Sequence, residues 1–455
     1  MSRPVGKNFP LAFRRAMFNL RGGFLIRPLV IALVLGCAGA IFSSLEEAFP
    51  FINSWVPVAL FPSHADPQVA QIILGGIAGS MMTVVSIVFA ILLMTLTLAS
   101  MQFSPRIIVS FANDRVTQWT LGIFLGTFSY CMAALPAAHL QPVPFEPVAT
   151  VLGAMLLALT CVGWLLFFIH HISQAISVNH IVDRIARETE GVIDEMMPWP
   201  HHVDRLKHTE TTIPFPEEVE ILSRESGYIR FIERGRLAAL AKDYRVRIRV
   251  LRRVGHFVPA GVPLMMVSKG SRLSPEGTAR LLAAFDFGPT RTLQQDVEFG
   301  VLQIVDIALK AISPAVNDPS TAISCVDQLS RIMIRFASRL PPEEFLFDPP
   351  GVVRVSVAWI QFERILDAAF EQIRMYSKSD VAVSLRMMRA LRDIAVSTPD
   401  LEFRRILVDR GLRTVAGCAE KLGEDEMKEL RARQGLLESL TATSQAGTPG
   451  SLQVS

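Results

Sequence analysis

Lysine and arginine are missing from two long stretches of this chain, between Arg27 and Arg106 and again between Arg115 and Arg184. Apolar runs fill both gaps, which excludes an ordinary water-facing surface there. The chain also lacks any Cys-x-x-Cys spacing: its five cysteines are Cys37, Cys131, Cys161, Cys325 and Cys418, and they suggest neither a disulfide framework nor a zinc site. It has no glycine loop ending in Lys-Ser/Thr, no His-Glu-x-x-His and no Gly-x-Ser-x-Gly, so the commonest nucleotide, zinc-hydrolase and serine-nucleophile chemistries are not indicated. No catalytic residue, cofactor or metal is assigned. A net charge of only +3 gives no argument for nucleic acid as a partner.

What is present is apolar weight, concentrated near the N-terminus. Of the 455 residues 50% are hydrophobic, and the mean hydropathy is +0.37. A hydrocarbon core of about 30 Å needs around 20 apolar residues in a helix. Four spans are expected, roughly Phe24 to Leu45, Val69 to Leu98, Thr120 to Ala138 and Val148 to Ile172. The first needs Arg27 to reach back to the headgroups. Val34-Leu35-Gly36-Cys37 loosely resembles a lipoprotein cleavage box, but the stretch before Pro28 is long for a signal n-region, so a retained span is expected.

Positive charge in short flanks sets orientation. Arg3, Lys7, Arg14, Arg15, Arg21 and Arg27 precede the first span, Arg106 and Arg115 lie between the second and third, and Arg184 and Arg187 follow the fourth. The opposite loops, Ser43 to Gln68 and His139 to Pro147, carry Glu46, Glu47, Asp66 and Glu146 instead. Both termini are therefore expected in the cytoplasm. Anionic lipid would be drawn to the basic flank.

The fold class read from these patterns is an α-helical multi-pass membrane protein with a cytoplasmic α+β region. A basic arm (1–23) leads into the four-helix membrane domain (24–175), then a helical extension and linker (176–217). The extension continues the fourth span, because His170 to Met197 keeps helical spacing up to Pro198. A small strand-rich module (218–270) is expected to be barrel-like, since Gly255 to Leu264 has the turn-and-strand pattern of barrel-sandwich domains. Its strands are Val219 to Leu222, Gly227 to Ile232, Arg245 to Leu251 and Pro263 to Val267, with a short helix near Leu237 to Lys242. A helical bundle (271–440) follows, with 3.6-period stripes over Pro275 to Phe285, Gln294 to Ile312, Pro319 to Arg339, Val357 to Tyr376, Asp380 to Val396 and Leu401 to Leu422, then a charged helix over Asp425 to Leu440. The polar tail (441–455) is expected to be disordered.

In the second span Gly76, Gly79, Ser80, Thr83, Ser86, Ala90 and Thr97 recur every three to four residues and form one small or hydroxylated face. Gly75-x-x-x-Gly79 lies beside it, and Gly122-x-x-x-Gly126 repeats the spacing in the third span. Small residues allow helices to approach closely, so packing is one reading. A polar path lined by several copies of the face is the other. No acidic, basic or histidine residue lies centrally in any span, which argues against a proton relay or a voltage sensor.

Arg245, Arg247 and Arg249 alternate with Val246, Ile248 and Val250, and with Arg252 and Arg253 they make the densest basic patch outside the membrane flank. A solvated strand face is the plain reading; contact with an anionic ligand or headgroup is the alternative. His170 with His171, and His201 with His202, are adjacent pairs that diverge on a helix and make no chelate.

Two further segments are distinctive: Gln102-Phe103-Ser104-Pro105-Arg106 with Asp114 and Arg115, and Asp306 through Ala322, which contains Ser313-Pro314 and Asn317-Asp318-Pro319. Together with Leu121 to Tyr130, Ser226-Gly227-Tyr228 and Gln372-Ile373-Arg374, they resemble the bacterial predicted membrane protein family called domain of unknown function 2254. The resemblance implies a multi-pass protein and brings no catalytic residue with it. Read physically, Asp318 caps a helix that begins at Pro319. The alternative is that Asp306, Asn317 and Asp318 converge on a ligand or cation.

These patterns favour a homo-oligomeric channel or transport-like pore, with the second span lining it and the cytoplasmic region gating or assembling it. A membrane-anchored sensor or scaffold is the second reading. A lipid-modifying enzyme is the third, with Gln102, Ser104, Arg106, Asp114 and His170 as its only interfacial candidates.

Overall fold

A computed structural model of the chain describes residues 26–49, 67–102, 115–138, 147–175, 177–199, 218–348 and 352–442. The basic arm, Ser104, Pro105, Arg106, Asp114, His201, His202 and the tail from residue 443 lie outside the described residues. The chain divides into two compact units, residues 1–177 and 178–455.

The N-terminal unit consists of α1 (Ile26–Ala48), α2 (Pro67–Gln102), α3 (Arg115–Ala134, ending in a 3₁₀ turn at Leu135–Ala137) and α4 (Val148–Ala175). Three segments are long and apolar enough to cross a membrane: Ile26–Ala48, Pro67–Thr97 and Val148–Gln174. The third expected span is not among them. Helix α3 carries Thr117, Gln118, Thr120, Thr127 and Tyr130, which lower its hydropathy, and all five are buried within the unit. The least apolar of the four helices is thus the most enclosed, packed against α1, α2 and α4.

That enclosure works because Gln118, Thr120, Thr127 and Tyr130 each have a hydrogen-bond partner inside the unit. Arg27 Nη1 donates to Gln118 Oε1 at 3.1 Å, the Trp164 indole donates to Thr120 Oγ1 at 2.9 Å, and Tyr130 O–H donates to the Thr150 carbonyl at 3.2 Å. Glu46, fully buried at 0% exposure, accepts from the Ala149 and Thr150 amides at 2.8 Å each and from Thr150 Oγ1 at 2.6 Å. A carboxylate is well placed there, at the positive end of the α4 dipole.

The uninterrupted helix expected over His170 to Met197 is instead two. Helix α4 ends at Ala175, Ser177 N–H turns back to the Gln174 carbonyl, and α5 (Val178–Met196) starts afresh at the head of the second unit. Its apolar stripe, Ile181, Val182, Ile185, Ala186, Val192 and Ile193, is buried against α8 (Val297–Ala311) and α9 (Pro319–Ala337). Arg331 bridges Asp183 and Glu190, and Arg335 and Arg339 both reach Asp194.

The strands of the second unit are β1 (Glu218–Leu222), β2 (Gly227–Ile232), β3 (Ile248–Val250), β4 (Phe257–Val258), β5 (Pro263–Ser268), β6 (Phe285–Gly288), β7 (Phe345–Asp348) and β8 (Val352–Val357). They form two open sheets, ordered β1-β5-β3-β8-β7 and β4-β2-β6, so the barrel expected for residues 218–270 is not present among the described residues. The expectation misses strands supplied from outside that range. β8 joins β3 in parallel, with Ile248 opposite Val355, and β6 joins β2. Val357 therefore ends a strand where a helix start is expected. The helix expected to reach Phe285 stops at Leu282, because Phe285 opens β6.

Helices α6 (Arg234–Asp243) and α7 (Pro275–Leu282) add Leu237, Ala241 and Leu281 to the core that the strands share. Ile229, Ile232, Leu237, Ile248, Leu264, Val267, Phe285 and Val355 form one buried core, and each fully buried aliphatic side chain contributes roughly 1.5–3 kcal/mol. Of the helices after the strands, α10 (Phe362–Tyr376) packs chiefly on α8 and α11 (Val381–Ser397) on α9, while α12 (Leu401–Cys418) and α13 (Glu424–Ala442) pack on each other and on α11.

Candidate functional site

The seven small or hydroxylated residues of α2, Gly76, Gly79, Ser80, Thr83, Ser86, Ala90 and Thr97, are all exposed on the side of the helix that α1, α3 and α4 leave uncovered. At Gly75, Gly76 and Gly79 no atom lies within 4 Å of where a Cβ would sit. The hydroxyls fold back on their own helix: Ser80 donates to the Gly76 carbonyl at 2.7 Å, Thr83 to Gly79 at 3.2 Å, Ser86 to Met82 at 2.9 Å and Thr97 to Leu93 at 2.8 Å. This satisfies each proton without a partner helix and leaves the oxygen lone pairs facing outward.

The second Gly-x-x-x-Gly is occupied. A Cβ on Gly122 would meet Ile31 at 2.6 Å, and one on Gly126 would meet Leu35; from the other side, one on Gly39 would meet the Tyr130 carbonyl oxygen at 2.6 Å. Helices α1 and α3 are in backbone-to-backbone contact along this seam.

Among the family-motif residues, Gln102 ends α2 and Arg115 opens α3 as an exposed side chain. Asp318 is an N-cap: its Oδ1 accepts from Thr321 N–H at 3.1 Å and its Oδ2 from the Thr321 hydroxyl at 2.6 Å. Those two bonds hold its carboxyl below the usual range. Pro319 occupies the first turn. Asn317 has a left-handed backbone (φ 48°), and Ser313, whose hydroxyl donates to the Lys310 carbonyl, opens the exposed turn through Pro314. Asp306 sits half-buried on α8, and no group of three His, Cys, Asp or Glu suited to a metal occurs among the described residues.

The arginine strand is shorter than its alternation implies. Val246, Ile248 and Val250 are buried and Arg245 and Arg249 exposed, yet only Ile248–Val250 is strand, because Arg245 takes a left-handed backbone (φ 54°) straight after α6. Arg249 pairs with Glu218 at 2.6 Å. Arg247 makes main-chain links to Ser268, which holds the segment beside β5 without full register.

Arg253 leaves the patch and enters a cluster that local pattern does not announce. It donates to His256 Nε2 at 3.0 Å and to both Glu298 oxygens at 3.2 and 3.1 Å. Arg291 grips Asp296 at 2.7 and 2.8 Å and Glu298 at 3.0 Å, and Arg364 approaches Glu298 at 3.4 Å. Burial by itself raises the Glu298 pKa, but the Arg253 and Arg291 guanidiniums outweigh it and hold the carboxyl below the usual glutamate range. Burial, reinforced by Arg253, pushes the His256 imidazole down. Gly255 belongs to this cluster: its φ is +86°, and a Cβ there would run into Asp296 and Arg291.

Helices long and apolar enough to cross a membrane, joined in one chain to a sheet-and-helix unit, define the class: a membrane protein with a second folded unit. The chain belongs to the family described as predicted membrane protein, domain of unknown function 2254, which matches residues 21–393. It is 31% identical over 421 residues to an uncharacterised protein of Mycobacterium bovis, and equally to one of Mycobacterium tuberculosis strain H37Rv; each alignment covers 91% of this chain and 79% of the relative. No solved structure matches the chain.

Proposed function

We propose that the protein is a homo-oligomeric channel or transport-like pore of the bacterial inner membrane, in which copies of α2 face one another. The observation that carries this reading is the uncovered Gly76-to-Thr97 face. A helix side meant only for lipid gains nothing from glycine and hydroxyls, whereas close approach of another helix, or contact with water, uses both. Hydroxyls already bonded to their own carbonyls line a path that is polar and uncharged.

In this reading α3 is a fourth crossing. A helix of 20 residues spans about 30 Å at 1.5 Å per residue, and it lies alongside three apolar spans with its polar side chains turned inward. The positive flanks support a topology with both chain ends in the cytoplasm, beside anionic lipid.

The test is paired. Ala90→Cys should give α2-to-α2 disulfide crosslinks in membranes, and reconstituted protein should conduct a common ion or pass a small solute. A monomer by native mass with no crosslink and no flux rejects the reading. A second reading, a membrane-anchored sensor, is favoured by one observation: a cavity in the second unit lined by buried donors.

A further inference from the structure

That cavity, of about 30 Å³, lies where four segments end. Ile232 closes β2, Arg234 opens α6, Val357 closes β8 and Val297 opens α8; Arg253 and Val254 arrive from the loop after β3. The mouth is therefore outside the carboxyl ends of the two parallel strands, β3 and β8, and at the amino ends of two helices. Helix amino ends favour negatively charged ligands, and open sheets take ligands outside the carboxyl ends of parallel strands.

Two N–H groups of lining residues, Arg234 Nε and Trp359 Nε1, are buried and have no acceptor within the described residues. A buried donor left unmatched costs stability, so natural structures seldom keep two at one place without an acceptor to meet them. The neighbouring carboxylates are already engaged. Asp296 is held by Arg291 and by the Phe299 amide, and Glu298 by Arg253, Arg291 and Arg364. Of the charged residues that line the cavity, Arg253, Asp296 and Glu298 are thus already paired, and Arg234 has Glu343 as its neighbouring acid while its Nε stays unmatched.

We propose that this cavity binds a small oxyanion, a carboxylate or phosphate group that accepts from Arg234 and Trp359. The walls of Met196, Ile232, Val254 and Ile360 exclude water and strengthen those bonds. The space exceeds the roughly 10–15 Å³ that one enclosed water needs, and since a water too can accept from both N–H groups, saturable binding of an added anion is what distinguishes the site.

The experiment is calorimetric titration of the full-length protein in detergent with inorganic phosphate and, separately, with acetate. Saturable binding of at least one anion is expected at millimolar concentration, and which one saturates names the oxyanion. Trp359→Phe removes one donor and little volume, and should weaken binding about tenfold, as should Arg234→Met. Absence of saturation by both anions in the wild type, or variants that bind like the wild type, overturns the proposal. So does a phosphate-soaked structure showing only water in the cavity. Should a variant not fold, the wild-type indole N–H resonances decide: one of them must shift with phosphate or acetate, and no shift refutes the site.

Discussion

Helices α2 and α3 each carry a Gly-x-x-x-Gly, yet one pair of glycines is pressed against a neighbour's backbone and side chains while the other faces nothing. The spacing states that a close approach is sterically allowed. It says nothing of which helix makes that approach, or whether the partner belongs to the same chain. In α3 the partner is α1, whose own Gly36 and Gly39 return the contact against Ser129 and Tyr130.

The comparison breaks hardest at Gly39. Its missing Cβ would sit 2.6 Å from the Tyr130 carbonyl oxygen and 3.0 Å from the Tyr130 Cα, and backbone atoms cannot swing aside as a side-chain end can. Gly39→Ala should destabilise the N-terminal unit by about 3 kcal/mol, read as a lower midpoint of unfolding in mixed detergent. The same change at Gly79 meets open space and should have the opposite sign in the isolated subunit, with a gain of up to about 1 kcal/mol from helix propensity. A loss of stability at Gly79 that depends on protein concentration would place a second copy against this face.

A contrast of similar size separates how the two units treat buried charge. In the first, Glu46 is answered by amides and a hydroxyl; in the second, Asp296 and Glu298 are answered by guanidiniums. Arg291→Met leaves the Asp296 carboxylate, whose side chain is only 3% exposed, without its two-pronged partner, and should cost about 3 kcal/mol in unfolding of the second unit. Glu46→Gln can keep one acceptor but loses the charge and should cost about 2 kcal/mol, lowering the unfolding midpoint of the first unit alone.

What sequence makes legible follows the same division. The exposed stripe of α2, the cap at Asp318 and the helices after Pro319 are local: each rests on residues within a few turns, so period and capping chemistry suffice. The sheets are not local, since β3 is paired with β8 from the far side of three helices, and neither short run identifies its partner. Pro349-Pro350-Gly351, a turn-forming run between Phe345–Asp348 and Val352–Val357, is the signal that points to a hairpin there. Arg234, Arg253, the pair Asp296 and Glu298, and Trp359 come from four separate segments, and no spacing rule joins them before the parallel pairing does. The polar residues of α3 conceal a buried helix for a related reason: their partners, Arg27, Trp164 and Thr150, lie on other helices.

The smallest effect sharpens the contrast between the units by pH. His256 faces Arg253, Arg252 and Arg364 as well as Glu298, and its pKa is lowered below the ordinary 6.5, first by burial and then by Arg253. The folded unit therefore binds this proton less readily than the unfolded chain does. Stability is full above the ordinary value and is lost as pH falls from there through the lowered one. Glu298 is also lowered, from an ordinary 4.5, so its contribution is lost in the same direction at more acidic pH. Unfolding of the second unit should thus begin to ease below about pH 6.5 and ease further below about 4.5. His256→Gln, which keeps a neutral acceptor for Arg253, should flatten the upper part of that profile and leave the lower part. Melting temperatures measured between pH 7 and pH 4 check this; an upper slope unchanged by His256→Gln assigns the acid sensitivity to another group.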